Sequence, residues 1–364
     1  MKILHVVPTY FPYQSGGSAY SLFRLNNSLK DVKKIIISKG HKVDKNKRSV
    51  FIDKNHKVFF FRIASPFLYI RLLKECIKSD IIQLSSFFFP PNIFIFLIAK
   101  FFNKKLIISP RGEFYDYALS NKLKSKYLVI KLFNFLNLDP ILHATCDKEI
   151  ELIKEKIVVK NKSIYKIYNS FDTEFTFNEK RLNQFLFLGR INSIKNIHSV
   201  FNALKSTENI LFLIAGEAVS ESEIKYLNFL KKEINKLKIQ DKVKFLGKVD
   251  GSEKYKLLAT SKLLVLPSHS ENFGNVVLES LSQGTPVLAS KGTPWSSLEK
   301  NQCGFQIDFN STDAILEKIR YFQELKKSNF VEIKKHSLDF LNVFKSNKIK
   351  NKWIELYSNH LKNK

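Results

Sequence analysis

The feature that most constrains the fold is an alternation, met twice over 364 residues, of short apolar runs with segments of helical periodicity. In the first half the runs occupy 3–7, 33–38, 57–63, 80–84, 105–109 and 141–145; in the second half they occupy 184–188, 210–215, 242–246, 263–266 and 287–290. Apolar runs of that length, each followed by a helical pattern, read as buried parallel strands, which predicts α/β layers around two parallel sheets. The length also exceeds what one hydrophobic core usually serves. The boundary is expected after Asn169-Ser-Phe-Asp172, where a polar stretch runs to Asn183. The expected organisation is therefore a Rossmann-like domain over 1–172, a second over 173–344 and a closing helix over 345–364.

In open α/β sheets, ligands bind beyond the carboxyl ends of the strands. Two such sheets facing one another would leave a cleft rimmed by those loops. The most informative loop lies in Ser268-His-Ser-Glu271-Asn272-Phe273-Gly274-Asn275-Val-Val-Leu-Glu279, which Gly284-Thr-Pro286 closes. It follows an apolar run ended by Pro267, and Asn275 is expected to cap a helix that ends at Gly284. Glu271 then sits in the loop and Glu279 one turn inside the helix. The amides at Phe273 and Gly274 fall at the helix N-terminus, which favours an anion. A carboxylate beside an anion site is placed to accept hydrogen bonds from hydroxyls, and sugars and riboses offer them.

Upstream, the run 184–188 leads into Gly189-Arg190-Ile-Asn-Ser-Ile-Lys195-Asn196 and a helical segment over 197–204. Two fixed cations suit a diphosphate. Near the start, the run 3–7 is followed by Gly16-Gly17 and a helix expected over 18–29, a place where glycine lets the backbone approach a ligand. No Gly-x-Gly-x-x-Gly follows either domain's first strand, which argues against a dinucleotide oxidoreductase.

In order and spacing these segments resemble the retaining nucleotide-sugar glycosyltransferases of family 4, of the glycosyl transferases group 1 type. Further support comes from Ser109-Pro-Arg111-Gly112, from His143-Ala-Thr145 with Glu149, and from a last helix holding Trp353 and Tyr357. The resemblance covers nearly the whole chain. It implies the GT-B architecture, with an acceptor-side first domain, a nucleotide-sugar-binding second domain and a C-terminal helix that crosses back to the first. It implies metal-independent transfer of a sugar, with retention, from a nucleoside diphosphate, UDP or GDP, to a hydroxyl of a glycan acceptor. By motif position, Glu271 would hold donor-sugar hydroxyls and Glu279 the ribose. Arg190, Lys195, Gly16, Gly17 and the segment Asn272, Phe273, Gly274, Asn275 would hold the diphosphate. Where many relatives carry His-x-His, this chain reads Gln83-Leu84-Ser85-Ser86. Gln83, Ser85, Arg111 and Glu113 are candidates for contact with the transferred sugar or the acceptor. His143 is expected to be structural. The competing class is a catalytically silent GT-B glycan-binding or scaffold subunit, kept open by Gln83.

Cys76, Cys146 and Cys303 are widely spaced and form no Cys-x-x-Cys pair, so neither a disulfide framework nor a zinc site is expected. The N-terminal apolar stretch meets Pro8 too soon for a secretory signal, and the run 87–102 contains Pro90-Pro91 and is too short to span a bilayer. A cytoplasmic protein is expected. Its formal charge is +27, with 30 basic against 13 acidic residues up to Asp172 and 30 against 20 beyond it. The segment 119–133 carries Lys122, Lys124, Lys126 and Lys131 without an acid, interleaved with Leu123, Tyr127, Ile130 and Phe133. Such a segment can sit on anionic lipid, or be a solvated helix face. The basic residues are dispersed and bring no nucleic-acid-binding motif, so nucleic acid is not an expected partner. With the resemblance, the reading is a peripheral membrane enzyme adding sugars to a lipid-linked acceptor for lipopolysaccharide, capsule or another surface polysaccharide.

Overall fold

The computed structural model describes residues 1–12, 16–40, 49–120, 123–158, 164–172 and 180–362. The chain divides into two compact units: Met1–Ser170 with Phe344–Lys364, and Phe171–Val343.

In the first unit the strands are β1 (Lys2–Val7), β2 (Lys33–Lys39), β3 (Ser49–Asp53), β4 (His56–Phe61), β5 (Ile81–Leu84), β6 (Lys105–Ile108), β7 (Ile141–Ala144) and β8 (Ile164–Lys166). They form one sheet in the order β3-β4-β2-β1-β5-β6-β7-β8, parallel throughout except for the antiparallel β3–β4 pair. Central β1 sets Leu4 opposite Ile35 and Ile82. Its side chains alternate between two cores, as the pleat requires. Leu4 and Val6 join the core under the helices Pro66–Lys78, Pro91–Phe101 and Leu123–Phe135. Ile3 and Val7 join the other, with Leu22 and Leu25 of the helix Gly17–Ser28 and with Ile349, Trp353 and Tyr357 of the last helix, Ser346–Lys362. The C-terminal helix is thus a wall of the first unit.

The second unit holds β9 (Leu182–Leu188), β10 (Leu211–Ala215), β11 (Val243–Gly247), β12 (Ser261–Leu266), β13 (Val287–Ser290) and β14 (Gly304–Ile307). Their order is β11-β10-β9-β12-β13-β14, all parallel. Phe185, Phe187, Phe212 and Val265 pack on the same side with Phe201, Leu230 and Ile319 of the covering helices. The helix Glu221–Leu237 starts with a full capping box, Ser220 accepting from the Glu223 amide while Glu223 accepts from the Ser220 amide.

Three strands go beyond the sequence expectation. β3 alternates exposed and half-buried residues, β8 is three residues long, and β14 opens on a glycine. The segment expected as one helix over 197–204 is instead a 3-10 turn, Ile197–Val200, followed by the short α-helix Phe201–Lys205. Asn196, left-handed at φ 51°, stands before that turn and prevents a straight entry.

Candidate functional site

In the second sheet β9, β12 and β13 are neighbours, so the loops after their carboxyl ends are brought together. Backbone bonds fasten these loops to one another. The His269 amide donates to the Ile194 carbonyl at 2.8 Å, joining the β12 loop to the β9 loop. The Glu271 amide donates to the Gly292 carbonyl at 3.1 Å, joining it to the β13 loop. The Ser290 hydroxyl donates to the Ser268 carbonyl on the same side.

On this frame Lys195 and Glu271, expected as site residues, form an ion pair, with side chains 17% and 13% exposed. The Ser268 hydroxyl donates to the same Glu271 oxygen, Oε1, at 3.0 Å. Both bonds fall on Oε1, so Oε2 is placed to accept from a ligand hydroxyl. Glu279 is held in the same way: Lys254, from the helix Gly251–Thr260, donates to its Oε1 at 2.8 Å. Glu271 and Glu279 are thus each fixed in direction by a lysine.

Between them the chain turns into the helix Asn275–Ser282. Gly274, not Asn275, is its cap, in the left-handed conformation at φ 77° that glycine adopts without steric cost. Asn275 is the first helical residue. Trp295 clamps the turn: its indole N–H donates to the Phe273 carbonyl at 2.5 Å and its ring meets the buried Phe273 ring edge-on at 5.3 Å. The Phe273 ring is thus committed to the core, which leaves its backbone at the turn, while Asn272 on the loop and Asn275 at the helix start are half-buried. The arrangement aims the positive end of a helix dipole beside two oriented carboxylates. Arg190 lies apart from the Lys195–Glu271 pair. Its side chain is 76% exposed and 3.6 Å from Glu223, which is itself occupied as a helix cap. An exposed guanidinium in so loose a pair is free to turn to a phosphate.

In the first unit Gly16, left-handed at φ 144°, precedes the helix Gly17–Ser28, and both glycines are exposed. The other candidates there are built into the structure. Gln83 is fully buried and accepts from the Tyr357 hydroxyl at 2.7 Å, so its side chain faces the last helix and not solvent. Glu113 accepts from the Ser86 hydroxyl at 2.6 Å and from the amides of Phe87 and Phe88, pinning the turn after β5; burial raises its carboxyl above the usual range. The Ser85 hydroxyl is buried and has no hydrogen-bond partner among the described residues. Arg111, left-handed at φ 56°, donates to Asn169 at 2.8 Å, and burial lowers its guanidinium from its ordinary value. Glu149 accepts from the amides of Gly112 and Thr145, both at 2.8 Å, which ties the 109–112 loop to the end of β7. His143 bridges Ser109 at 2.9 Å and the Ile167 carbonyl at 2.8 Å beneath the Trp353 ring, a structural role as the sequence suggests. All three cysteines are buried free thiols, and among the described residues no group of three or more His, Cys, Asp or Glu is arranged to hold a metal ion.

Lys254, Trp295 and Gly292 are missing from the sequence-derived site. Lys254 comes from another helix, 25 positions from Glu279, with no spacing rule to mark it. Gly292-Thr-Pro-Trp295 repeats the Gly-Thr-Pro of 284–286, the one signal that could have drawn attention to it.

Residues 170–335 match the family described as glycosyl transferases group 1, which covers this whole loop system. A solved structure, that of Anabaena HepE in complex with UDP, superposes with a TM-score of 0.81 at 17% identity over 99% of this chain and 100% of that one. Over residues 170–335 the chain is thus similar to the group 1 glycosyltransferases, and it has the GT-B fold. Among curated proteins, an uncharacterized glycosyltransferase of Methanocaldococcus jannaschii is 26% identical over 80% of this chain and 79% of its own. An O-antigen biosynthesis glycosyltransferase of Escherichia coli, WclY, is 26% identical over 45% and 43%. Other matches are partial: sucrose synthase of Melioribacter roseus is 28% identical over 37% of this chain, which spans only 19% of that protein.

Proposed function

We propose that this protein transfers a sugar from a nucleoside diphosphate, UDP or GDP, to a hydroxyl of a lipid-linked glycan acceptor, with retention at the anomeric carbon, in the assembly of a surface polysaccharide such as O-antigen or capsule. The observation that carries the reading is the Lys195–Glu271 pair on the joined β9, β12 and β13 loops, with Glu279 and a helix N-terminus beside it. The UDP complex of a protein of like fold and the O-antigen role of a partial relative support the donor and the pathway.

Glu271 accepts from donor-sugar hydroxyls through Oε2, and Glu279 from the ribose. As the anomeric carbon–oxygen bond breaks, negative charge grows on the leaving diphosphate. Lys195, Arg190 and the amides at the start of the helix Asn275–Ser282 neutralise it, so no metal is needed for that task. The acceptor oxygen bonds to the anomeric carbon on the face the diphosphate leaves, and the leaving phosphate oxygen takes the acceptor proton. Positioning then supplies much of the rate.

The test is nucleotide release across UDP-, GDP-, ADP- and dTDP-sugars, with EDTA and with membrane extract as acceptor source. Acceptor-dependent release from one donor, lost in Glu271→Ala with folding intact, supports the transferase. Silence with every donor, and no thermal shift with any nucleotide, overturns it in favour of a scaffold.

A further inference from the structure

We infer that the helical layer of the first unit formed by Pro66–Lys78, Pro91–Phe101 and Leu123–Phe135 is a docking face for an anionic lipid surface. The three helices lie on one side of the sheet, sharing the core that holds Leu72, Phe96 and Phe133. Tyr69 meets Phe94 at 5.4 Å and Phe96 meets Phe133 at 4.9 Å, so they are contiguous. Their inward sides are filled. Their outward sides carry large apolar residues as well, and exposed apolar patches mark interaction surfaces.

The helix Leu123–Phe135 shows how the face is written. Ile130 and Phe133, which the sequence pattern offers for membrane contact, are buried. Lys122 lies outside the described residues. Leu123 and Tyr127 are exposed, each 56%, and beside them runs a stripe of Lys124, Leu128, Lys131 and Phe135, at spacings of four, three and four, with Leu128 66% and Phe135 84% exposed. Beside it, Phe101 ends its helix 85% exposed, and Leu97, Lys100, Phe101, Phe102 and Leu136 line a shallow apolar groove of about 340 Å³. On the third helix Phe67 and Ile70 stand out, 64% and 65% exposed.

Charge selects the occupant. The three helices carry Arg71, Lys74, Lys78, Lys100, Lys124 and Lys131 among others, and a single acid, Glu75. Glu75 is buried and paired with Lys2 and Arg71. A face of phenylalanine and leucine tips among lysines, with no exposed acid, suits the interfacial zone of a bilayer with anionic headgroups: the rings enter the acyl boundary and the ammonium groups stay at headgroup level. No helix among the described residues is long and apolar enough to cross a membrane. The face deepens the lipid-linked acceptor reading above and rests on it for its biological meaning.

Flotation of the full chain with phosphatidylcholine vesicles, with and without phosphatidylglycerol, tests the inference. Binding is expected only with the anionic lipid and weakens as salt rises. The double variants Phe101→Ser/Phe135→Ser and Lys124→Gln/Lys131→Gln should each lower partitioning about tenfold or more. Both should keep wild-type melting temperature and wild-type nucleotide thermal shift. Equal partitioning of wild type and both variants, or no preference for anionic vesicles, overturns the inference. So does a dimer in solution that Phe101→Ser/Phe135→Ser dissociates while vesicles are ignored, since a second copy is then the occupant. Nucleotide release measured alongside separates the two readings: vesicle binding without any transferase activity retires the proposed function alone.

Discussion

Replacing Gly292 by alanine should disable the site without touching a group proposed to meet substrate. A Cβ at this position would lie 2.1 Å from the His269 carbonyl oxygen and 2.6 Å from its carbon. Ordinary contact begins near 3.4 Å, so the β12 and β13 loops must part by about 1.3 Å. The obstacle is backbone, which cannot swing aside as a side chain would. Gly292 is not among the residues with positive φ, so the cost is one of space alone. The loop that must move is the one whose Glu271 amide bonds the Gly292 carbonyl. Overpacking of this kind costs about 1–3 kcal/mol of stability, a melting shift of several degrees. A displacement near 1 Å in a positioning group costs on the order of 10²-fold in rate. The assay is steady-state sugar transfer together with thermal unfolding. Gly292→Ala is expected to stay folded and lose about two orders of magnitude in kcat/KM. Activity within threefold of wild type would refute the argument that the joined loops set Glu271.

Two further outcomes follow from the first unit. Tyr357→Phe leaves the buried Gln83 carbonyl without its donor, next to a Gln83 amide that has no partner among the described residues, and should cost about 1–3 kcal/mol in denaturant unfolding. Nucleotide affinity should not change; lost transfer at unchanged stability would instead assign Gln83 to the substrate. His5 and His143 are held down to about 3, His5 by burial and then by His56, His143 by burial and then by Arg111. Their folded values lie below the unfolded one, so the unfolded chain takes up protons first: stability is complete above about pH 6.5 and falls as pH drops towards 3. At pH 5 each should cost about 2 kcal/mol, and a urea midpoint that stays flat from pH 7.5 to 5 would contradict this.

The fold was legible where burial is continuous. Runs such as 184–188 and 263–266 have one physical use, a strand covered on both sides, and their alternation with helices leaves little choice of architecture. β3 and β8 could not be read because they lie at the rim of the sheet, where half-exposed residues such as Phe51 and Tyr165 carry no apolar run. That Glu271 and Lys195 come together was legible because each lies in the loop that follows a strand, and the two strands are neighbours. Lys254 was not, because nothing in a solvated-looking helix reveals which carboxylate of another helix it meets. Gln83 shows the opposite difficulty: its place near the carboxyl end of β5, where many relatives carry His, suggests a ligand, yet its partner is Tyr357, 274 positions away.

The placement of the last helix bears on how the chain folds as it leaves the ribosome. Residues 171–343 form a unit closed within one continuous stretch, whereas the first unit needs Trp353 and Tyr357 to cover Ile3 and Val7. During vectorial synthesis, the second unit can finish while the first still has one sheet face wet, although the first was made earlier. Until the final turns arrive, that face is an exposed apolar surface competing for chaperones and for other nascent chains. The order of synthesis and the order of completion are therefore reversed, and the packing of Trp353 and Tyr357 on Ile3 and Val7, far apart in sequence, completes the first unit.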